Sequence, residues 1–231
     1  MTAASATSGE TLRRAVSVLA PPRLNTLLTC GWVNSAVSGR PMNAGGQPIP
    51  WFTYPAIDFL EPRVKPHWRV LEWGCGQSTL WWSQRVSSVT SIEHDVAWQA
   101  NIRAHVPDNG QVVLVEEKGR YVEANGLPGP FDAIVIDGEY RNECARIAAD
   151  RAGAGGIIVL DNSDRKAYRD GMVFLSDRGW KRLDLFGVLP TYLYRTCTTI
   201  FYRDEAFLRV DGFPCDHESS LGPTCGQVLG E

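Results

Sequence analysis

Phe131-Asp132-Ala133-Ile134-Val135-Ile136-Asp137 limits the fold of this chain more than any other stretch. It is apolar almost throughout, as a strand covered on both faces should be. Such strands belong to parallel sheets whose crossover segments lie above and below. The surrounding sequence keeps the same rhythm. Strands are predicted over 69–73, 89–93, 111–115, 131–137 and 157–161, and helices over 77–85, 96–105, 140–152 and 165–178. Gly155 and Gly156 should end the third helix and Gly179 the fourth. Segments 181–186 and 196–203 follow with no convincing helix between them, which suggests an antiparallel pair at one sheet edge. The expected class is α/β: a Rossmann-like, doubly wound, mainly parallel sheet.

The chain ahead of this alternation has a different character. Residues 11–20 can form an amphipathic helix stopped by Pro21 and Pro22, and Leu24, Leu27 and Leu28 suggest a second short helix. Residues 38–50 read as a Gly/Pro-rich loop, and the aromatic run 51–60 as a cover for the sheet or a lid over a ligand. The expected organisation is therefore an N-terminal cover over 1–60, a main domain over 61–203 and a tail over 204–231. With 231 residues, 44% hydrophobic and 21% charged, the chain can bury a core. A net charge of -3 argues against nucleic acid as the main partner. No apolar segment is long enough to span a bilayer. The 6 cysteines lack paired CxxC spacing, so reduced thiols and a cytoplasmic setting are the simplest reading. Cys215, His217 and Cys225 match no common zinc spacing and read as part of a solvated tail.

The chemistry concentrates at strand ends. Glu72-Trp73-Gly74-Cys75-Gly76-Gln77-Ser78 joins an apolar strand to a helix through a glycine turn, a geometry that brings bare backbone close to a ligand. A glycine turn built for phosphate should avoid a neighbouring carboxylate. Glu72 therefore favours a cofactor that is cationic at this point, as S-adenosylmethionine is. Glu93 follows the turn by roughly 20 residues, the spacing at which a carboxylate accepts ribose hydroxyls. The dinucleotide fingerprint wants a small residue where this chain has Thr79, which disfavours NAD.

These residues resemble the class I S-adenosylmethionine-dependent methyltransferases over about 69–203. The likeness rests on Glu72-x-Gly74-x-Gly76-x-Ser78, on Ser91-Ile92-Glu93-His94-Asp95, and on the 131–137 strand with Gly138. It implies a seven-stranded sheet with one antiparallel strand at the edge. It also implies that the backbone at Gly74 and Gly76 lies against the methionine part and that Glu72 helps place the amino group. Ser78 and Asp137 would complete that side, Glu93 would hold the ribose with His94 beside it, and residues 116–121 would approach the adenine.

Asp137 ends the fourth strand and Asp161-Asn162 the fifth, so three oxygen ligands could converge. This is similar to the metal site of catechol and caffeoyl-CoA type O-methyltransferases, and implies Mg²⁺ or a like divalent ion. Arg141 is only a loose match to that family's basic residue. Such a metal would lower the pKa of an acceptor hydroxyl. Asp161-Asn162 could equally cap the helix that follows. Without a metal, Asp137, Glu139 and His94 are the candidates to take the proton, with Asp137 and Glu139 preferred as catalytic residues. Trp51, Tyr54, Tyr192 and Tyr194 fall in segments read as irregular and could line an acceptor pocket for an aromatic or a sugar. The expected function is S-adenosylmethionine-dependent methylation of a small molecule, at oxygen. A non-catalytic scaffold with the same fold and an NAD-dependent oxidoreductase are the alternatives. A homodimer is compatible with either.

Overall fold

A computed structural model describes Arg23 and residues 25–124 and 126–230. The helix expected over 11–20, with Pro21, Pro22 and Leu24, lies outside the described residues. Two short helices, α1 (Thr26–Thr29) and α2 (Trp32–Ser38), and a third, α3 (Tyr54–Leu60), precede the sheet. The strands are β1 (Arg69–Trp73), β2 (Ser88–Glu93), β3 (Gly110–Leu114), β4 (Phe131–Ile136), β5 (Ala152–Leu160), β6 (Lys181–Leu189) and β7 (Tyr192–Tyr202). Between them run α4 (Gln77–Ser83), α5 (Val96–Arg103), α6 (Lys118–Glu123), α7 (Arg141–Arg151) and α8 (Arg169–Asp177). A short α9 (Cys225–Leu229) lies near the C-terminal end of the described chain.

The seven strands form one sheet in the order β3-β2-β1-β4-β5-β7-β6. The first five pair in parallel, and β7 pairs antiparallel with both β5 and β6. The reversed strand β7 thus sits between β5 and the outermost strand β6. Strand order reverses between β1 and β4, where an open α/β sheet leaves a crevice at its carboxyl ends.

Alternation along each central strand divides the core between two faces. Val70, Ala133, Val135, Ile157, Val159 and Ile200 point to one side, where they meet α3 and the Trp81–Trp82 pair of α4. Leu71, Trp73, Ile134, Ile136, Ile158, Leu160 and Phe201 point to the other, against Tyr121 and the alanine face of α7. Burying each large apolar side chain contributes roughly 1.5–3 kcal/mol, so both layers hold the sheet.

The 51–60 segment is fastened to the far end of the sheet. Thr53 N–H donates to Thr198 Oγ1 at 3.0 Å, and Thr53 Oγ1 donates to the Leu185 carbonyl at 2.8 Å. Gly187 is required by this contact, because a Cβ there would lie 2.5 Å from Pro55 Cδ. The segment is thus a pinned cover. Residues after β7 return to the same layer: Phe207 packs edge-on to Phe59 at 5.9 Å, and Ser219 Oγ donates to Asp58 at 2.7 Å.

Several local expectations need correction. Gly155 and Gly156 do not end α7; β5 starts at once at Ala152, and the two glycines lie inside it at an irregular register opposite Phe131–Ala133. Residues 118–123 form a helix, started by the Glu117 carboxylate accepting N–H bonds from Gly119 and Arg120. Tyr192 and Tyr194 belong to β7, and Tyr54 is buried in α3.

Candidate functional site

The crevice at the β1/β4 switch opens into a cavity of about 770 Å³. Its wall includes Gly74, Cys75, Glu93, His94, Trp98, Asp137, Gly138, Glu139 and Arg141, drawn from the ends of three neighbouring strands. Trp51, Asp95, Ala97, Asn101, Arg165 and Tyr168 extend it. Most of the candidate residues are therefore brought to one place.

Three successive amides of the turn are bonded within the protein. Gly74 N–H donates to the Ile92 carbonyl at 2.9 Å, Cys75 N–H to Glu93 Oε2 at 3.0 Å, and Gly76 N–H to Thr79 Oγ1 at 3.0 Å. Thr79, the mismatch to a dinucleotide fingerprint, is what ties the turn down. Gly74 adopts φ +88°, and a Cβ there would sit 3.0 Å from Gly138 N. Gly138 is tighter still, since a Cβ there would sit 2.0 Å from Tyr121 Oη. Gly76 is different. Its φ of 175° is ordinary extended backbone, and a Cβ would meet nothing closer than Ser78 Oγ and Trp98 Cζ2 at 4.0 Å. Nothing in the protein requires glycine at 76.

Glu72 does not reach the cavity. It is fully buried beneath the turn, where its Oε2 accepts from Thr79 Oγ1 at 2.6 Å and Ser91 Oγ at 2.7 Å. Its Oε1 has no hydrogen-bond partner. Burial pushes its pKa up to about 7, against the pull of the Ser78, Thr79 and Ser91 hydroxyls. Ser78 is also buried, in the first turn of α4. Glu93 does face the cavity while bracing the loop. Its Oε1 accepts the N–H groups of His94 at 2.8 Å and Asp95 at 2.9 Å, and His94 Nδ1 lies 3.0 Å away. Trp98, which was not singled out from sequence, is fixed by its indole N–H donating to the Cys75 carbonyl at 2.6 Å. Its only sequence signal was its place one turn after the Glu93 loop. Residues 116–121 are not on the wall: Tyr121 is buried, and its Oη accepts the Glu139 N–H at 3.2 Å.

The β4 and β5 ends do approach one another, but a guanidinium joins them. Arg141 donates from Nε to the Gly138 carbonyl at 2.9 Å, from Nη1 to the Asp161 carbonyl at 2.6 Å and Asn162 Oδ1 at 3.4 Å, and from Nη2 to the Asp137 carbonyl at 2.9 Å. Nη2 also lies 2.9 Å from Asp137 Oδ1. These contacts use all five donors of the side chain. Asp161 Oδ1 is taken by the Thr198 hydroxyl at 2.5 Å. The expected metal set of Asp137, Asp161 and Asn162 does not fit a divalent ion, because a fixed organic cation already fills that role. Among the described residues no three His, Cys, Asp or Glu side chains converge to hold a metal, which covers Cys215, His217 and Cys225 as well. Burial raises the pKa of both carboxyls; Asp161, which faces the Asp137 charge, goes up to about 8, while Arg141 pulls Asp137 back down. Nor does Asn162 cap the next helix: it takes φ +51° in the turn that leads to Arg165. Glu139 is exposed at the cavity mouth.

The fold is the Rossmann-like fold of class I S-adenosylmethionine-dependent methyltransferases, as several solved structures attest. A candidate O-methyltransferase from Klebsiella pneumoniae aligns with a TM-score of 0.53 at 19% identity, over 83% of this chain and 95% of that one. The cofactor-bound Rv0187 from MTB aligns at 0.50 and 20% identity, over 87% and 99% of the two chains. Precorrin 8w decarboxylase from Methanobacterium thermoautotrophicum aligns at 0.51 and 18%, over 72% and 97%. No protein-family model and no curated protein sequence matches the chain. Among the described residues no helix is long and apolar enough to cross a membrane.

Proposed function

We propose that this chain is an S-adenosylmethionine-dependent methyltransferase that acts on an oxygen of a small molecule. The observation that carries the reading is Gly76. Neither backbone conformation nor packing asks for glycine there, yet the missing Cβ leaves space beside Trp98 at the turn. Space kept open next to backbone is what a bound ligand needs. The cavity's volume suits a nucleoside-sized ligand together with an acceptor.

S-adenosylmethionine, when bound, supplies a methyl group already activated on a sulfonium. The protein's part is then placement and proton removal. Gly74 and Gly76 offer bare backbone on one side. Glu93 keeps accepting capacity on Oε2 for ribose hydroxyls, and His94 and Trp98 flank the same end. Glu72 stiffens the turn from below. Asp137, held by Arg141 through Oδ1, lines the cavity and takes the acceptor's proton. Its raised pKa makes it a stronger base than a solvated carboxylate. Glu139 at the mouth is the second candidate for that step.

Isothermal titration tests the assignment. The wild type should bind S-adenosylhomocysteine saturably, and Gly76→Ala should weaken that binding at least tenfold while its unfolding midpoint stays within a few degrees. Absence of wild-type binding, or an alanine variant that binds equally well, overturns it.

A further inference from the structure

The cavity wall carries two guanidinium groups with opposite circumstances. Arg141 has every donor occupied by the protein. Arg165, which follows β5, lines the same cavity, yet its side chain forms no hydrogen bond or ion pair with the described residues. A lone exposed arginine would mean little. Here it faces a second feature without a structural explanation.

Trp51 lines the cavity from the pinned cover. Tyr192 stacks on it at 6.3 Å with the rings 10° apart, and Tyr194 continues the stack at 5.2 Å and 28°. Trp51 Nε1 donates to the Pro190 carbonyl at 2.8 Å, which orients its ring, and Trp32 Nε1 donates to the Tyr192 carbonyl at 3.2 Å, which ties down the strand that carries the tyrosines. Tyr192 and Tyr194 nevertheless remain 48% and 52% exposed, so this ladder is ordered without being buried. Alternation along β7 alone explains Tyr192 beside Tyr194, two residues apart on one face; it does not explain why the ladder ends on the cavity wall.

The sheet order separates two halves of the site. Glu93, at the β2 end, lies on one side of the glycine turn. Asp137 and Arg165, at the β4 and β5 ends, lie on the other, where an acceptor must approach. We propose that the acceptor is a planar aromatic acid. Its ring packs on Trp51 at the end of the ladder, its anionic group pairs with Arg165, and its hydroxyl reaches Asp137. A guanidinium recognises a carboxylate through two parallel N–H donors, and flat rings stack on indole. The identity of the acceptor rests on the methyltransferase reading; the binding of an aromatic acid does not.

Titration of 4-hydroxybenzoate and of phenol, with and without S-adenosylhomocysteine, isolates the carboxylate, since the two probes share ring and hydroxyl. The acid should bind at least tenfold more tightly than phenol. Arg165→Gln, at an exposed side chain that acts on Asp137 electrostatically but makes no hydrogen bond or ion pair with the described residues, should abolish that preference and leave S-adenosylhomocysteine affinity within twofold. Trp51→Leu should weaken both probes. Equal binding of the two probes, or no binding of either, overturns the proposal. So does an Arg165→Gln variant that loses S-adenosylhomocysteine, because Arg165 would then serve the cofactor's own carboxylate. A wild type that binds the acid through Arg165 but never the cofactor would instead sink the methyltransferase assignment and leave the acid site standing.

Discussion

Replacing Arg141 by Met keeps most of the side chain's apolar volume and removes its charge. Asp137 then loses its ion pair at 2.9 Å, and the carbonyls of Asp137, Gly138 and Asp161 lose their donors. Breaking a buried pair by deleting one partner costs about 3–5 kcal/mol. The Asp137 side chain is 23% exposed on the cavity, against 9% for Arg141, so water recovers part of that cost. About 3 kcal/mol at pH 8 is the expected loss, or roughly 6–12 °C in unfolding midpoint for a chain of this size. The pH dependence follows from the sign. Arg141 is the main group that lowers the Asp137 pKa against burial, with Arg165 adding a smaller pull, so its removal raises the folded-state value further above the ordinary 3.8. A raised folded pKa means stability that is present at low pH and lost as pH rises. The deficit of the variant should therefore be largest at pH 8 and shrink toward pH 5. Adding Asp137→Asn to Arg141→Met should restore part of the loss at pH 8, because no unpaired charge remains. Urea unfolding of the two single variants and the double variant at both pH values measures this. A loss below about 1 kcal/mol, or one that ignores pH, would show that the guanidinium is not the clamp described here.

Three further outcomes are expected. Glu72, with a folded pKa near 7 against an ordinary 4.5, should lose its contribution to stability as pH rises through that interval; Glu72→Gln should flatten the urea-stability profile there, by at most about 3 kcal/mol at pH 8. Because Arg141 occupies the cation position, EDTA should leave methyl transfer unchanged, and millimolar Mg²⁺ should not move the wild-type unfolding midpoint in a thermal scan. Gly138→Ala should cost roughly 1–3 kcal/mol or more in chemical denaturation, because its Cβ meets Tyr121 Oη at 2.0 Å and Gly74 N at 2.8 Å. Gly76→Ala should stay within about 1 kcal/mol, helix-start preference and chain entropy acting in opposite directions.

The central strands were legible because burial on both faces leaves a local mark, an apolar run, that needs no knowledge of neighbours. The same holds for the glycine turn. What escaped was set by contacts distant in sequence. Gly155 and Gly156 read as a helix stop, yet they lie within β5 because the register opposite Phe131 is irregular there. Tyr192 and Tyr194 lie in the first four residues of β7, all of them exposed, so no buried run announced a strand there. Arg141 sits four residues after Asp137, but its clamp depends on the Asp161 carbonyl and Asn162 Oδ1 just past β5, which only the folded sheet brings near. The metal expectation failed for that reason. Three oxygens were placed correctly at adjacent strand ends, while the cation between them came from a residue whose partners could not be counted in advance.

The selectivity of the turn also has a different origin from the one the sequence suggested. There, the Glu72 charge was to repel a diphosphate. In the fold Glu72 is buried under the turn, and its pKa near 7 leaves it only partly charged at neutral pH. Two other features carry the discrimination. A phosphate cradle needs free backbone N–H groups, and here the amides of Gly74, Cys75 and Gly76 are already donated to Ile92, Glu93 and Thr79. The surrounding wall presents Glu93, Asp95, Asp137 and Glu139, and one of its two guanidinium groups is neutralised by Asp137. A diphosphate would face carboxylates with no free amide at Gly74, Cys75 or Gly76 to receive it, whereas a cationic group would find negative potential and open backbone. On the proposed reading, a preference for a positively charged nucleoside would follow from where the turn's hydrogen bonds go, and it would persist in a Glu72→Gln variant that still folds.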